Sequence, residues 1–200
     1  MQHTIITVSR EWASGGHTVA QLTAEKLGIP CYDTQIIQET AKRTGLKEDL
    51  IKDAEQKIGG SFLYNLVMNV NAERNYFEQI YKTEREIILE HAKQGPCVIV
   101  GRGADHVVEN KLPTLRVFVY SNMKRRIQRA INNYGLEEAK ARSEIQRMDK
   151  ERAIHMKTFT GLNWGERINY DVMLNAGYLG EEMCSDIIVK MYQDLIEQEK

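Results

Sequence analysis

The chain has 200 residues, of which 28% are charged and 42% hydrophobic, and its formal net charge is -1. This length favours one domain with its own core, and the near-neutral charge excludes the global basic excess expected of a nucleic-acid-binding protein. The sequence shows no secretory leader pattern and no apolar run approaching a membrane span, so we expect a cytoplasmic protein. Its three cysteines are Cys31, Cys97 and Cys184. They are widely spaced and match no zinc motif, so we expect reduced thiols that are not catalytic.

The first predicted element is a short apolar, β-branched segment, Ile5–Ser9, which is typical of a buried parallel strand. A glycine-containing turn follows, and apolar residues at helical spacing then predict a helix over 18–27. In a strand–turn–helix of this kind, backbone N–H groups converge on an anion and glycine allows close approach. We therefore predict that residues 14–18 bind phosphate and call them the phosphate turn; an ordinary strand-to-helix turn is the alternative.

The phosphate turn departs from the usual G-x-x-x-x-G-K-[ST] motif at two positions. When Gly16 and Thr18 are aligned with that motif, Glu11 stands where the first glycine belongs and His17 where the lysine belongs. A histidine is shorter than a lysine and carries only part of a charge at neutral pH. Glu11 would also repel a triphosphate unless it points away or pairs with Arg10.

Further strands alternate with helices along the chain. Strands are predicted at Pro30–Asp33, Cys97–Gly101, Leu115–Tyr120 and Tyr170–Asn175, and helices at Asn71–Gln94, Lys124–Asn133 and about Glu181–Glu197. This alternation favours an α/β fold with a parallel sheet covered on both faces. Ligands of such sheets bind beyond the carboxyl ends of the strands, where Asp33, Arg102, Ser121 and Asn175 fall.

Two helical regions interrupt this core. The first, residues 34–94, includes an apolar segment at 61–68, which we expect to pack on the insertion's own core; a homodimer surface is the weaker alternative. The second, residues 124–164, is rich in arginine and has few apolar residues between Asn132 and Arg152 to anchor it. We interpret it as a mobile lid for phosphoryl transfer, against the alternative of a solvated helical pair.

Taken together, these landmarks resemble the cytidylate kinase-like family, a branch of the P-loop nucleoside monophosphate kinases. The matching segments run in the family's order and span nearly the whole chain: Ser9-Arg10-Glu11 with Ser14-Gly15-Gly16, Leu27 to Asp33, Val100 to Asp105, Asp149-Lys150-Glu151-Arg152, Trp164-Gly165 and Asn169-Tyr170-Asp171.

The resemblance implies a P-loop NTPase-type three-layer fold, with a five-stranded parallel sheet of order 2-3-1-4-5, helices on both faces and a helical lid. It implies one domain over 1–200, in which the core comprises 1–33, 95–123 and 165–200, an acceptor-binding insertion about 34–94, and a lid about 124–164. The implied activity is phosphoryl transfer from ATP with Mg²⁺ to a nucleoside monophosphate, CMP or dCMP in the characterised relatives. The expected partners are therefore small nucleotides rather than nucleic acids or membranes.

The resemblance also implies roles for particular residues. The donor phosphates would be held by Ser14, Gly15, Gly16, His17 and Thr18, with the Thr18 hydroxyl facing magnesium. The acceptor pocket would include Asp33, Arg102 and Asp105, although a helix N-cap is the alternative for Asp33 and a surface ion pair for Arg102. The lid would supply Arg129, Arg147 and Arg152, with Asp149 orienting Arg152 or binding a substrate group. Trp164 and Tyr170 are expected to serve in packing.

Two other functions remain open from the sequence. One is a nucleotide-sensing or nucleotide-binding protein that keeps the phosphate turn and has lost efficient transfer, as the missing lysine would allow. The other is a kinase for a different phosphorylated or hydroxylated metabolite, because acceptor specificity depends on pocket geometry contributed by residues 34–94.

Overall fold

The computed structural model describes residues 4–51, 72–109 and 111–198. Five strands form one sheet: β1 (Ile5–Arg10), β2 (Cys31–Tyr32), β3 (Val98–Val100), β4 (Thr114–Tyr120) and β5 (Val172–Asn175). They lie in the order β2-β3-β1-β4-β5, and every neighbouring pair is parallel. The predicted fold class and strand order are confirmed. The apolar segment 61–68 lies outside the described residues.

Helices cover both faces of this sheet. Those described are α1 (Gly16–Leu27), α2 (Thr34–Thr44), α3 (Ala72–Gln94), α4 (Ala104–Val108), α5 (Met123–Tyr134), α6 (Glu138–Thr160), α7 (Ala176–Leu179) and α8 (Glu181–Gln198), with a 3₁₀ turn at Arg167–Asn169. Within the described ranges, no helix combines the length and apolarity needed to cross a bilayer.

The central strand β1 is buried on both faces, which explains its continuous apolar sequence. Because side chains alternate along a strand, Ile6 and Val8 face one layer and Ile5 faces the other. Ile6 and Val8 pack in a cluster that includes residues of α1 and α8, whereas Ile5 packs with Ile87 and Ile88 of α3. The two core layers therefore meet across β1.

The register of the parallel strands brings the loops of interest to one edge. Val8 of β1 lies beside Val100 of β3, and Tyr32 of β2 lies beside Ile99. The phosphate turn, Asp33 and Arg102 follow directly after these three strands. They therefore gather at the carboxyl edge of the sheet, as predicted.

The helices α5 and α6 are anchored by apolar contacts that the sequence analysis did not predict. Ala130, Ala141 and Ile145 are buried together with Ala13, and Trp12 packs against this cluster. The rings of Trp12 and Tyr134 have centroids 5.0 Å apart. Between Asn132 and Arg152 the buried apolar residues of this cluster are Ala141 and Ile145, so the anchoring contacts there are few, and the mobility of the lid stays a prediction.

Candidate active site

The phosphate turn forms a strained loop at the start of α1. Ala13 and Gly15 have φ angles of 57° and 96°, in the left-handed region, and the Ser14 hydroxyl holds the loop by contacts of 2.8 Å to the Glu11 carbonyl oxygen and 3.1 Å to that of Val119. The N-cap residue, Gly15, has no side chain to cap α1, the first turn has no acidic residue, and the Gly16 N–H makes only a long contact of 3.4 Å to Ser14 Oγ. This helix start can therefore direct its N–H groups at an anion.

A side chain is excluded at Gly15 and at Gly16 for different structural reasons. A Cβ atom at Gly16 would overlap Arg10 Cβ and lie 3.2 Å from Val119 Cβ, so this glycine is required for packing on β1 and β4. At Gly15 the added atom would instead meet Glu181 Oε1 at 2.8 Å and Arg129 Nη1 at 3.3 Å. The glycine at position 16 is therefore needed for packing inside the protein, independently of any ligand that the turn binds.

Arg129 of α5 lies directly over the phosphate turn. Its Nη2 donates to Thr18 Oγ1 at 2.8 Å, and its Nη1 pairs with Glu181 at the start of α8. Because the Thr18 hydroxyl accepts from a cation here, Thr18 fits a magnesium ion only if Arg129 moves away from it. Magnesium prefers substrate phosphates with one or two protein oxygens, so phosphate oxygens would supply most of its ligands.

Glu11 pairs with Arg126 rather than with Arg10. Its Oε2 accepts from the Ser121 N–H at 3.0 Å and lies 3.2 Å from Arg126 Nη1. Burial raises the pKa of Glu11, and the Ser121 hydrogen bond and the Arg126 charge oppose this rise. Glu11 is thus held against β4 and α5, which limits the repulsion that we expected it to exert on a triphosphate.

Arg126 is a central residue that the sequence analysis did not single out. It is only 4% exposed, and besides Glu11 it contacts the Trp12 carbonyl oxygen at 2.7 Å and the Asp149 carboxylate. The other Asp149 oxygen accepts from Trp12 N–H at 2.8 Å. Arg126 therefore joins α5 and α6 to the loop after β1. It stands in a run of basic residues, and nothing in the local sequence distinguishes it from its neighbours.

Asp33 is the shared partner of residues from three elements. Its Oδ2 lies 2.8 Å from His17 Nδ1, and its Oδ1 accepts from Arg102 Nη1 at 2.9 Å. Arg10 Nη2 is 3.9 Å from Oδ2. Asp33 occupies the N-cap position of α2 but makes no capping hydrogen bond with its side chain. The side chain therefore does not act as a helix cap, and its role in ligand binding stays a prediction.

The charges around Asp33 keep it ionised. Burial alone would raise its pKa, but the hydrogen bond with His17 and the guanidinium groups of Arg10 and Arg102 together hold the pKa well below its usual value. The carboxylate can still accept further hydrogen bonds, because each of its oxygens has two lone pairs.

Arg102 is held by an unusual backbone and a buried carboxylate. Residues 101–103 have φ angles of 73°, 57° and 62°, so a non-glycine residue adopts the left-handed conformation between two glycines. Its side chain is 6% exposed, and its Nε lies 3.6 Å from Oε1 of Glu84, which is 2% exposed. Glu84 is the second residue that the sequence analysis missed, since α3 carries many glutamates and its spacing marks none of them.

Asp33 and Arg102 line a cavity of about 440 Å³. Its wall carries three guanidinium groups, two carboxylates and several apolar side chains: Ser9, Arg10, Trp12, Asp33, Thr34, Ile37, Gly101, Arg102, Gly103, Met148, Glu151, Arg152, His155, Met156 and Trp164. Arg152 donates to the Arg10 carbonyl oxygen at 2.8 Å. Burial and the Arg10 charge lower the pKa of Arg152 to about 9, so it remains cationic at neutral pH.

Three residues that the resemblance assigned to the site lie elsewhere. Asp105 is 4% exposed inside α4, accepts from its neighbour's N–H, and is absent from the cavity wall; burial raises its pKa. Arg147 pairs with Glu144 and Glu151 along α6 instead of reaching the cavity. Asp149 uses its oxygens on Trp12 and Arg126, so it positions the loop after β1 and does not hydrogen-bond to Arg152.

Trp164 and Tyr170 both contact Phe118, and Trp164 in addition lines the cavity. Phe118 lies with its ring centroid 5.4 Å from that of Trp164 and 4.8 Å from that of Tyr170.

Burial raises the pKa of the Cys31 and Cys184 thiols to about 11 and that of Cys97 to about 12. All three thiols therefore stay protonated at neutral pH, which disfavours nucleophilic chemistry.

The sheet order and the strand–turn–helix at its centre define a P-loop-type α/β fold. A model of the cytidylate kinase-like family matches residues 5–178, and the chain belongs to that family. A cytidylate kinase of Methanopyrus kandleri is 26% identical over 197 residues, which is 98% of this chain and 96% of the relative.

Solved structures show the same fold. An uncharacterized protein from Eubacterium ventriosum superposes with a TM-score of 0.72 at 21% identity, covering 96% of this chain and 99% of the other. A shikimate kinase from Acinetobacter baumannii, solved with shikimate, gives a TM-score of 0.55 at 14% identity, covering 97% and 94%.

Proposed function

We propose that the protein transfers a phosphoryl group from ATP to a nucleoside monophosphate, with CMP or dCMP as the preferred acceptor. The observation that carries this proposal is the cavity beside the phosphate turn, where Arg10, Arg102 and Arg152 face the same space as Asp33. The guanidinium groups suit the anionic end of a ligand, and the carboxylate suits hydrogen-bond donors at its other end. A nucleoside monophosphate has both features, and the cavity's volume falls within the range of about 300 to 1,000 Å³ typical of small-molecule sites.

In this proposal the phosphate turn binds the donor phosphates through the N–H groups at the start of α1. Bound with the donor, magnesium would neutralise charge on the transferring group, with Thr18 as its protein ligand once Arg129 has moved. Arg102 and Arg152 would hold the acceptor's phosphate in line, and arginine's planar fork suits phosphate oxygens. Residues 34–94 would form the acceptor-binding insertion and 124–164 the lid that excludes water, with Arg129 as its donor-side contact.

The test is a coupled assay of ATP with Mg²⁺ against a panel of monophosphates at equal concentration. We expect CMP or dCMP to give the highest kcat/KM. Arg152→Ala should lower turnover by more than tenfold with a smaller effect on ATP affinity, because that arginine lies in the acceptor cavity. A different preferred acceptor would refute the proposed specificity, and turnover with none of them would refute the kinase proposal.

A second candidate is a nucleotide-binding protein with weak or lost transfer. It is favoured by His17, which stands at the lysine position of the phosphate turn and is engaged by Asp33 at 2.8 Å. ATP binding in calorimetry, combined with no turnover on any member of the panel, would support this alternative.

A further inference from the structure

The basic position of the phosphate turn points away from the donor side of the site. In the usual motif, the lysine at this position reaches the donor's β- and γ-phosphates. Here His17 Nδ1 lies 2.8 Å from Asp33 Oδ2. Asp33 lines the cavity and His17 does not. The imidazole, which is 43% exposed, therefore contacts a carboxylate of the acceptor cavity without lining that cavity itself.

Asp33 is fixed between His17 and Arg102. His17 contacts one carboxylate oxygen and Arg102 the other, and the side chain keeps 18% of its surface exposed. A carboxylate held at both oxygens presents its remaining lone pairs in one orientation. Since Asp33 stays ionised, it attracts the proton of the His17 Nδ1–H, which would fix both the tautomer and the ring.

A different cation stands at the donor side. Arg129 Nη2 is 2.8 Å from Thr18 Oγ1, and its Nη1 would be 3.3 Å from a Cβ atom at Gly15. The same Nη1 pairs with Glu181, whose Oε1 would be 2.8 Å from that Cβ atom, so a phosphate bound by the turn would take the place of Glu181 as the partner of Arg129. Arg129 thus lies over the turn itself, within reach of any phosphate that the turn binds. Its guanidinium is permanently charged, and a guanidinium can contact two phosphate oxygens at once.

We propose that the two basic residues have divided roles: His17 is a positioning residue for the acceptor, acting through Asp33, and Arg129 supplies the donor-side cation. This assignment rests on the proposed transfer from ATP to a monophosphate. It differs from the expectation for the loop position, because it predicts that loss of His17 affects the acceptor rather than ATP.

The experiment compares equilibrium binding of ATP and of CMP, each measured alone by calorimetry. His17→Ala should weaken CMP binding about tenfold, as expected for loss of a charge-assisted hydrogen bond, and leave ATP binding within about twofold. His17→Asn, whose amide can still donate to Asp33, should recover most of the CMP affinity. Arg129→Ala should show the reverse pattern, with ATP weakened about tenfold or more and CMP nearly unchanged. In turnover, His17→Ala should raise the KM for CMP more than it lowers kcat.

A matched control is His106→Asn. Because an asparagine could keep part of this contact, His106→Ala is measured beside it as the match to His17→Ala; it removes another histidine–carboxylate pair, in which His106 Nδ1 lies 3.3 Å from Glu109 Oε2, outside the cavity wall. We expect neither ligand's affinity to change. A nuclear magnetic resonance measurement gives a ligand-free readout: the Nδ1 proton of His17 should resonate far downfield, and Asp33→Asn should remove that signal.

Three results would overturn the divided roles. The first is an ATP affinity that falls as much in His17→Ala as in Arg129→Ala. The second is a CMP affinity that is the same in His17→Ala as in the wild type. The third is a downfield His17 resonance that is still present in Asp33→Asn. If the wild type does not bind CMP, the proposed acceptor is wrong, and the ATP measurements and the His17 resonance still decide the assignment.

Discussion

Replacing Arg126 by methionine tests whether this residue links the helices α5 and α6 to the rest of the protein. The substitution keeps most of the side-chain volume and removes the contacts with Glu11, Asp149 and the Trp12 carbonyl oxygen. Breaking a buried ion pair by removing one partner costs about 3 to 5 kcal/mol. Glu11 and Asp149 have 26% and 18% of their side-chain surface exposed and each keeps a backbone hydrogen bond, so we expect about 3 kcal/mol, at the lower end of that range.

The measurement is urea unfolding, supported by calorimetry, in which a loss of this size should lower Tm by roughly 6 to 12 °C. Arg125→Met is the matched control, because Arg125 is the preceding residue on α5 and is exposed; its effect should stay within about 0.5 kcal/mol. ATP affinity should also fall in Arg126→Met, since Glu11 would lose its cation next to the phosphate turn. Equal stability of the two variants would refute the reasoning.

Three further predictions concern single sites. Gly16→Ala should lower the free energy of unfolding by about 1 to 3 kcal/mol in urea titrations, because the added methyl group would overlap Arg10 and crowd Val119. A variant of unchanged stability with impaired ATP binding would show instead that Gly16 is needed for phosphate binding. Glu151→Gln should change the KM for the acceptor several-fold, because Glu151 lines the cavity. The control is Glu144→Gln, which removes the other carboxylate paired with Arg147 and should leave that KM unchanged. Equal KM values for the two variants would contradict this. The pKa of Asp33 is depressed in the folded protein, so the carboxylate's contribution to stability is complete above about pH 4 and is lost as the pH falls further. The difference in unfolding free energy between wild type and Asp33→Asn should therefore shrink below about pH 4. A constant difference down to about pH 2 would count against the charge cluster around Asp33.

The sequence alone determined the sheet and the location of the site. Strand β1 was predicted as Ile5–Ser9 and observed as Ile5–Arg10, and the predicted order 2-3-1-4-5 is the one observed. The strand follows from a local pattern, because a buried parallel strand is rich in apolar, β-branched residues, whereas the order was implied by the family resemblance. The carboxyl-edge position of Asp33 and Arg102 followed from the same reasoning.

Only the tertiary structure decided which charged groups pair with one another. The sequence left open whether Glu11 repels a triphosphate, points away or pairs with Arg10, and in the structure it pairs with Arg126. Glu84 was not considered, and it lies beside Arg102. A long charged side chain can reach any partner that neighbouring helices bring within a few ångströms, and in a chain with 27 basic and 28 acidic residues the sequence offers many. Helix packing selects among them, because a buried charge is stable only where the fold supplies its counter-charge or hydrogen bonds.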